Sequence, residues 1–217
     1  MSVVIRTNKS EKVSALSAIT QPNQKGYAMK HGYEWVCEEF DYEHFNDNII
    51  AELQSWRSLL EQHDTLMWVG ADVMFTDWNT QVEYVHTGYP ITMAREETSW
   101  WPINNDVMIF NNRPESFDFI DRMIKDFDIW KHYPWRMQTH TWNLIQEEEW
   151  VNEAIDLLPA KEMNQHPSKW QLGDWIIHFY GMPLEEKVAR AKEIAELVPD
   201  GNPVLKVKVD GGRPPVL

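Results

Sequence analysis

Short apolar runs alternate along this chain with longer stripes in which apolar residues recur every three or four positions. The runs read as strands and the stripes as helices with one buried face. Ser2–Arg6 is the first strand, and Thr7-Asn8-Lys9-Ser10 is a polar loop after it. Thr20 reads as the cap and Pro22 as the first turn of a helix that passes Tyr27, Ala28 and His31 and stops at Gly32. Tyr33–Cys37 is the second strand. Asp47 opens a longer helix whose buried stripe is Ile49, Ile50, Leu53, Trp56, Leu59 and Leu60. Strands follow at Thr65–Val69, Ile91–Ala94 and Val107–Phe110, then a helix from Pro114 with Phe117, Ile120, Met123, Ile124 and Phe127 inside. A helix over 138–150, a short strand at Ile155–Leu158, a strand-like centre within Gly173–Gly181 and an amphipathic helix over Pro183–Leu197 complete the series. Strands alternating with helices predict an α/β fold with a mostly parallel central sheet and helices on both faces. The expected domain spans 1–198, with 199–217 a Pro- and Gly-rich tail or edge strand.

Thr65–Val69 is the run around which the others are organised. Its length suits a strand covered on both faces. Gly70 and Ala71 clear space at its carboxyl end, and Asp72 is the first charge there. Open α/β sheets bind ligands at that end. An acid beside open backbone suits a metal-bound phosphate. The other reading of Asp72 is a cap on the next segment.

Composition narrows the class. A chain of 217 residues, 43% hydrophobic and 12% aromatic, is long enough for one well-packed domain. Its net charge of −14 argues against non-specific binding to nucleic acid, which needs Lys and Arg on phosphates. Twelve Trp residues offer flat faces for sugars or bases as well as core. Cys37 is the only cysteine, so no internal disulfide forms and a reducing compartment is expected; it reads as a small buried residue. No stretch reaches the roughly 18 apolar residues of a membrane span. The N-terminal run, charged by Arg6, is too short for a signal peptide, so a cytoplasmic protein is expected. The GxGxxG, P-loop, HExxH and CxxC patterns are all missing from the sequence.

Six blocks, in order, resemble one family. Asn23-Gln24-Lys25-Gly26-Tyr27-Ala28-Met29-Lys30-His31-Gly32-Tyr33 resembles the N-x-x-x-YAxxHGY signature of the glycosyltransferases that include yeast α-mannan galactosyl- and mannosyltransferases and plant xyloglucan xylosyltransferases. Thr65–Phe75 resembles their W-(I/L)-W-x-D-x-D block, and Asn104–Asn112 their N-x-G-x-F-L-I-R-N segment. Met137-Gln138-Thr139 stands where they have (D/E)-Q, and Met163-Asn164 is similar to their late Asn-containing loop. Gly173–Gly181 is similar to G-D-(F/W)-(V/I)-(V/I)-H-F-x-G. The resemblance covers roughly residues 1–182 and implies a GT-A fold, a divalent metal (Mn²⁺, or Mg²⁺ less well) and a UDP-sugar donor, with retention at the anomeric carbon. This chain departs from the pattern in three places. The first acid of D-x-D is Gly70, the glycine of N-x-G is Asp106, and the acid before Gln138 is Met137. It also lacks the family's anchor and stem, which points to a small soluble member, viral or bacterial.

The resemblance gives the candidate residues their roles. Asp72 and His178 are the expected metal ligands, and Asp106 partly replaces the acid missing at Gly70. Gln138 is placed beneath the sugar as a polar stabiliser; a solvated helix position is the other reading. Asp106, Trp100 and Trp101 border sugar and acceptor. Tyr27 stacks on the uracil with His31 near base or phosphates, or else Tyr27 is helix packing and His31 answers the helix dipole. Thr7, Gly70, Ala71, Asn104 and Gly181 complete the donor-binding set. Asp174 either caps its turn or functions. The acceptor is a glycan by family default. A hydroxymethylated pyrimidine in phage DNA is a second acceptor, and a degenerate binding or scaffold module, motivated by the missing acid, is a different class.

Overall fold

The computed structural model describes residues 1–85, 88–96 and 102–199. Trp100, Trp101 and residues 200–217 of the expected tail lie outside them. The elements run β1 (Val3–Lys9), α1 (Ser14–His31), β2 (Glu34–Glu39), α2 (Phe45–Gln62), β3 (Thr65–Val69), β4 (Val73–Phe75), α3 (Val82–Val85), β5 (Ile91–Arg95) and β6 (Ile103–Asn111). They continue with α4 (Pro114–Lys125), α5 (Phe127–Trp130), α6 (Met137–Glu147), α7 (Glu149–Ala154), β7 (Ile155–Leu158), α8 (Ala160–Met163), β8 (Ile176–His178) and α9 (Leu184–Leu197). A six-stranded sheet in the order β2-β1-β3-β6-β5-β7 carries the fold. The β1–β2, β1–β3 and β5–β7 pairs are parallel; β6 runs antiparallel to both neighbours.

Period-two alternation sends side chains to two cores. Val4, Leu66, Trp68, Met108 and Phe110 face one core, which α2, α4, α6 and α7 cover. Val3, Ile5, Met67, Val69, Val107 and Ile109 face the other, with Tyr27 and Ala28 of α1. All five residues of β3 are buried, as a strand covered on both faces requires. β2 is an edge strand, so Cys37 is only half-buried.

Several boundaries differ from the sequence reading. α1 starts at Ser14, which puts Pro22 inside the helix. Proline removes one helical N–H and its ring crowds the carbonyl four residues back. Pro22 and Ala18 are both exposed, so that carbonyl is open to water. The extra turns are held by Leu16 and Ile19, which pack against Ala191, Ile194 and Val198 around α9. Thr20 is therefore not a cap; its hydroxyl donates to the Ala71 carbonyl at 2.7 Å. β6 begins four residues before Val107, because the register slips between Met93 and Ala94 and lets Ile103 and Asn104 pair with β5. The helix expected over 138–150 is two helices that break at Glu148.

Candidate active site

β3 ends at Val69, and the turn after it is held from three sides. The Gln24 side-chain amide donates to the carbonyls of Gly70 (3.0 Å) and Val73 (2.9 Å), and Thr20 holds Ala71. The Gly70 N–H donates to the Asp106 carbonyl at 2.7 Å, which continues the β3–β6 pairing one step past the strand. Next, β4 pairs antiparallel with β8, with Val73 opposite His178. The Phe179 N–H donates to the Asp72 carbonyl at 3.0 Å. Residues more than a hundred positions apart are thus fixed side by side by backbone bonds.

Three ligand atoms, from Asp72, Asp106 and His178, lie within 4.8 Å of one another. His178 Nε2 is 3.1 Å from Asp72 Oδ1 and 3.5 Å from Asp106 Oδ2. On its other side, His178 Nδ1–H donates to Asn164 Oδ1 at 2.8 Å. Asn164 is kept in place because the His178 N–H donates to the Gln165 carbonyl at 2.9 Å. An imidazole anchored through one nitrogen presents the other in a fixed direction, the usual support of a metal-binding histidine. Two carboxylates and one imidazole are a donor set that suits Mn²⁺, and Mg²⁺ less well. Lys187, from the first turn of α9, places its Nζ 2.6 Å from Asp72 Oδ2.

Gly70 explains how the acids are arranged. A Cβ at this position would sit 3.3 Å from Asp106 Cβ and 3.3 Å from Asp72 Oδ1. Its φ is not in the left-handed region, so the glycine supplies space rather than an unusual backbone. Asp106, its neighbour across the strand pair, carries the carboxylate instead. Asn104 helps to hold Asp106 there, since the Asp106 N–H donates to Asn104 Oδ1 at 3.0 Å.

The charges in the cluster are coupled. Burial opposes charge on His178, but the Asp72 and Asp106 carboxylates outweigh it and raise its pKa above 6.5. Burial would raise Asp72, yet His178 and Lys187 hold it well below the ordinary carboxylate range. Confinement in the cleft raises Asp106; His178 opposes that and Asp72 adds to it. A raised histidine stabilises the fold below its unfolded value and loses that contribution as pH rises through the folded one. In chelator-treated protein, the stability advantage of wild type over His178→Gln therefore shrinks as pH rises from 6.5. Chemical denaturation at a series of pH values measures it, and a constant or growing advantage contradicts the assignment.

One cavity adjoins this cluster through Asp106, and a second lies beyond it across Phe40. The first, of about 320 Å³, is lined by Asp106, Asn105, Gln138, Glu52, Trp68 and Trp135, among others. Trp135 and Arg136, just before Gln138, both hold positive φ (52° and 44°), a conformation that costs a non-glycine residue on the order of 1–3 kcal/mol and clusters at functional sites. The other, of about 630 Å³, lies at the carboxyl ends of β1 and β2. Ser10, Ser17 and Gln21 line it, and their Oγ, Oγ and Nε2 atoms are buried without partners among the described residues. Phe40 borders both cavities.

The other expected residues fall elsewhere. Tyr27 is fully buried, its ring stacked on Phe75 at 3.8 Å and its hydroxyl donating to the Thr80 carbonyl at 2.7 Å. His31 bonds the Trp78 carbonyl at 2.9 Å. Neither lines either cavity; Tyr27 has the helix-packing role that was its second reading, and His31 sits in the last turn of α1, bonded to a carbonyl. Thr7 is buried within β1, and its neighbour Asn8 lines the smaller cavity instead. Gly181 makes the left-handed turn between β8 and α9. Asp174 closes its own turn, accepting from the Gln171 N–H at 2.7 Å. Lys187, Asn164 and Glu52 were given no role from sequence. Asn164 stood in a block similar to the family's late loop, and Glu52 left a trace as an acid on the apolar stripe three residues after Ile49 and four before Trp56.

No family model matches the sequence, and no curated protein is significantly similar to it. Solved structures are. A glycosyltransferase involved in glycosylation of the major capsid of PBCV-1 superposes with a TM-score of 0.72 at 13% identity, over 89% of this chain and 100% of that one. The apo form of the glycosyltransferase GlyE of Streptococcus pneumoniae TIGR4 gives 0.57 at 8% identity, over 94% of this chain and 65% of that one. The WbbM bifunctional glycosyltransferase gives 0.52 at 10% identity, over 90% and 51%. With its mostly parallel sheet flanked by helices, this chain has the GT-A fold of those glycosyltransferases.

Proposed function

We propose that the chain is a retaining glycosyltransferase that moves a sugar from a UDP-sugar to a hydroxyl acceptor, with a divalent cation on the donor diphosphate. The observation that carries this reading is the convergence of Asp72, Asp106 and His178 at the carboxyl end of β3 in a GT-A fold. Transfer breaks an anomeric C–O bond, leaving positive charge on the sugar and negative charge on the diphosphate. A divalent cation bound by Asp72, Asp106 and His178 would neutralise that leaving group.

The remaining roles follow from position. Lys187 brings a second positive charge to the same place and is shared between Asp72 and the diphosphate. Asn164 keeps His178 turned toward the site. The amide oxygen of Gln138, in the cavity that Asp106 borders, faces the positive charge on the sugar without forming a covalent bond. The larger cavity takes the nucleoside; Ser10, Ser17 and Gln21 can donate or accept as uracil and ribose require.

The acceptor is a glycan or another carbohydrate hydroxyl. The net charge of −14 weighs against DNA. The scaffold alternative rested on the acid missing at Gly70, and Asp106 stands within reach of the same position. No helix among the described residues is long and apolar enough to cross a membrane.

Thermal denaturation with UDP, Mn²⁺ and both tests the reading. A ligand at a hundred times its Kd stabilises by about 2.7 kcal/mol. The pair together is expected to raise the melting temperature more than either alone. No shift with any combination favours the scaffold.

A further inference from the structure

Glu52 is an acid in the wrong place for a structural helix residue. It lies on the buried stripe of α2, 3% exposed, and lines the cavity that also holds Asp106 and Gln138. One carboxylate oxygen, Oε2, accepts from Asn8 Nδ2 at 2.9 Å. Nothing among the described residues donates to Oε1. Arg6 pulls on Glu52 through charge alone: its two terminal nitrogens donate to the Thr7 carbonyl at 2.6 Å and to Glu38 at 2.6 Å, and among the described residues its Nε makes no hydrogen bond. Burying a carboxylate without full partners is unfavourable. Burial accordingly raises Glu52 to about 7, against the pull of Arg6 and Asn8.

The rest of the cavity has the same incomplete character. Asn105 Nδ2 is buried with no partner among the described residues. Gln138 is 7% exposed, and its side chain has no hydrogen-bond partner among the described residues. Trp68, Trp130, Tyr133 and Trp135 supply aromatic faces around these polar groups. Flat apolar faces with a few convergent donors and acceptors match one ligand class, a sugar ring with C–H faces and a rim of hydroxyls. The volume of about 320 Å³ is at the small end for ligand sites.

We propose that Glu52 is a sugar-binding, specificity-determining residue: its Oε1 accepts hydrogen bonds from hydroxyls of the monosaccharide being transferred, while Asn8 holds Oε2. This rests on the glycosyltransferase reading for the identity of the sugar as donor. The assignment of Glu52 as a sugar ligand does not depend on the metal. Glu52→Gln is the informative variant. A glutamine carries one carbonyl oxygen; if that oxygen stays on Asn8, the N–H₂ group takes the place of Oε1, and the sugar hydroxyl exchanges a charged acceptor for a neutral donor.

The test is calorimetric and NMR titration of wild type and Glu52→Gln with UDP, a panel of UDP-hexoses and UDP-pentoses, and the matching free methyl glycosides. Measured at a pH above 7, where the Glu52 carboxylate is charged, lost hydrogen bonds to a charged group predict a loss of about ten- to hundred-fold for the best UDP-sugar and the best glycoside. UDP affinity is expected to stay within about two-fold, and the unfolding midpoint not to fall, since a buried carboxylate is replaced by a neutral amide. Equal losses for UDP and UDP-sugar would overturn the proposal as a purely structural effect. Unchanged sugar binding, or no glycoside binding to wild type, would overturn it too. Wild type that binds glycosides but no nucleotide, with the glycoside lost in Glu52→Gln, upholds Glu52 and sinks the glycosyltransferase reading instead.

Discussion

Asp72→Ala and His178→Ala are each expected to lower sugar transfer by about 10²- to 10³-fold, the range seen when one fixed group is removed from around a developing charge. The backbone should survive both changes. The bonds that hold the turn run through main-chain atoms and Gln24, not through the Asp72 carboxylate. Asp72 is the more exposed of the two, with 20% of its side chain accessible. His178 is fully buried, so His178→Ala leaves a cavity, and Asn164, whose Nδ2 is already unpartnered, loses its one bond to the ring. His178→Gln is the control that fills most of the space. Transfer assays with saturating Mn²⁺, beside circular dichroism, separate lost chemistry from lost fold. Folded variants with wild-type rates would remove both residues from the site.

The second expected result concerns the displaced acid. Asp106→Gly should weaken Mn²⁺ binding by at least about ten-fold, since one of three clustered donors goes. Gly70→Asp alone should not help. Its Cβ would press on Asp106 Cβ and Asp72 Oδ1, both at 3.3 Å, and add a third carboxylate to two. Combined with Asp106→Gly, the same substitution loses its closest carbon neighbour and restores the acid count. The exchanged pair should therefore bind Mn²⁺ better than either single variant. Such non-additivity is expected of residues in contact.

The sequence carried the central strand and much of the site because both depend on local pattern. The five-residue run of β3 and the small residues after it could be read directly. So could the order of blocks that places Asp72, Asp106 and His178 along the chain. The β4–β8 pairing that brings Asp72 against His178 joins two three-residue strands a hundred positions apart, too short to leave a periodic signal. The start of α1 was misplaced because Thr20 and Pro22 look like a cap and a first turn. What extends the helix back to Ser14 is contact with α9, from the far end of the chain. For Tyr27 the motif leaves two readings open, a uracil contact and helix packing. Its burial against Phe75 depends on a strand that sequence alone did not locate. Lys187 sits on an ordinary amphipathic helix, where it is one of three basic residues among four glutamates and carries no distinguishing mark.

Asp72, Asp106 and His178 stand close enough to hold one divalent cation together. Titration of Mn²⁺ in the presence of UDP, followed by electron paramagnetic resonance, measures this for wild type, Asp106→Gly and the exchanged Gly70→Asp/Asp106→Gly pair. The expected result is one saturable ion per wild-type chain, a loss of at least about ten-fold in Asp106→Gly and partial recovery in the exchanged pair. No saturable ion in wild type, or equal affinity in all three, would contradict it.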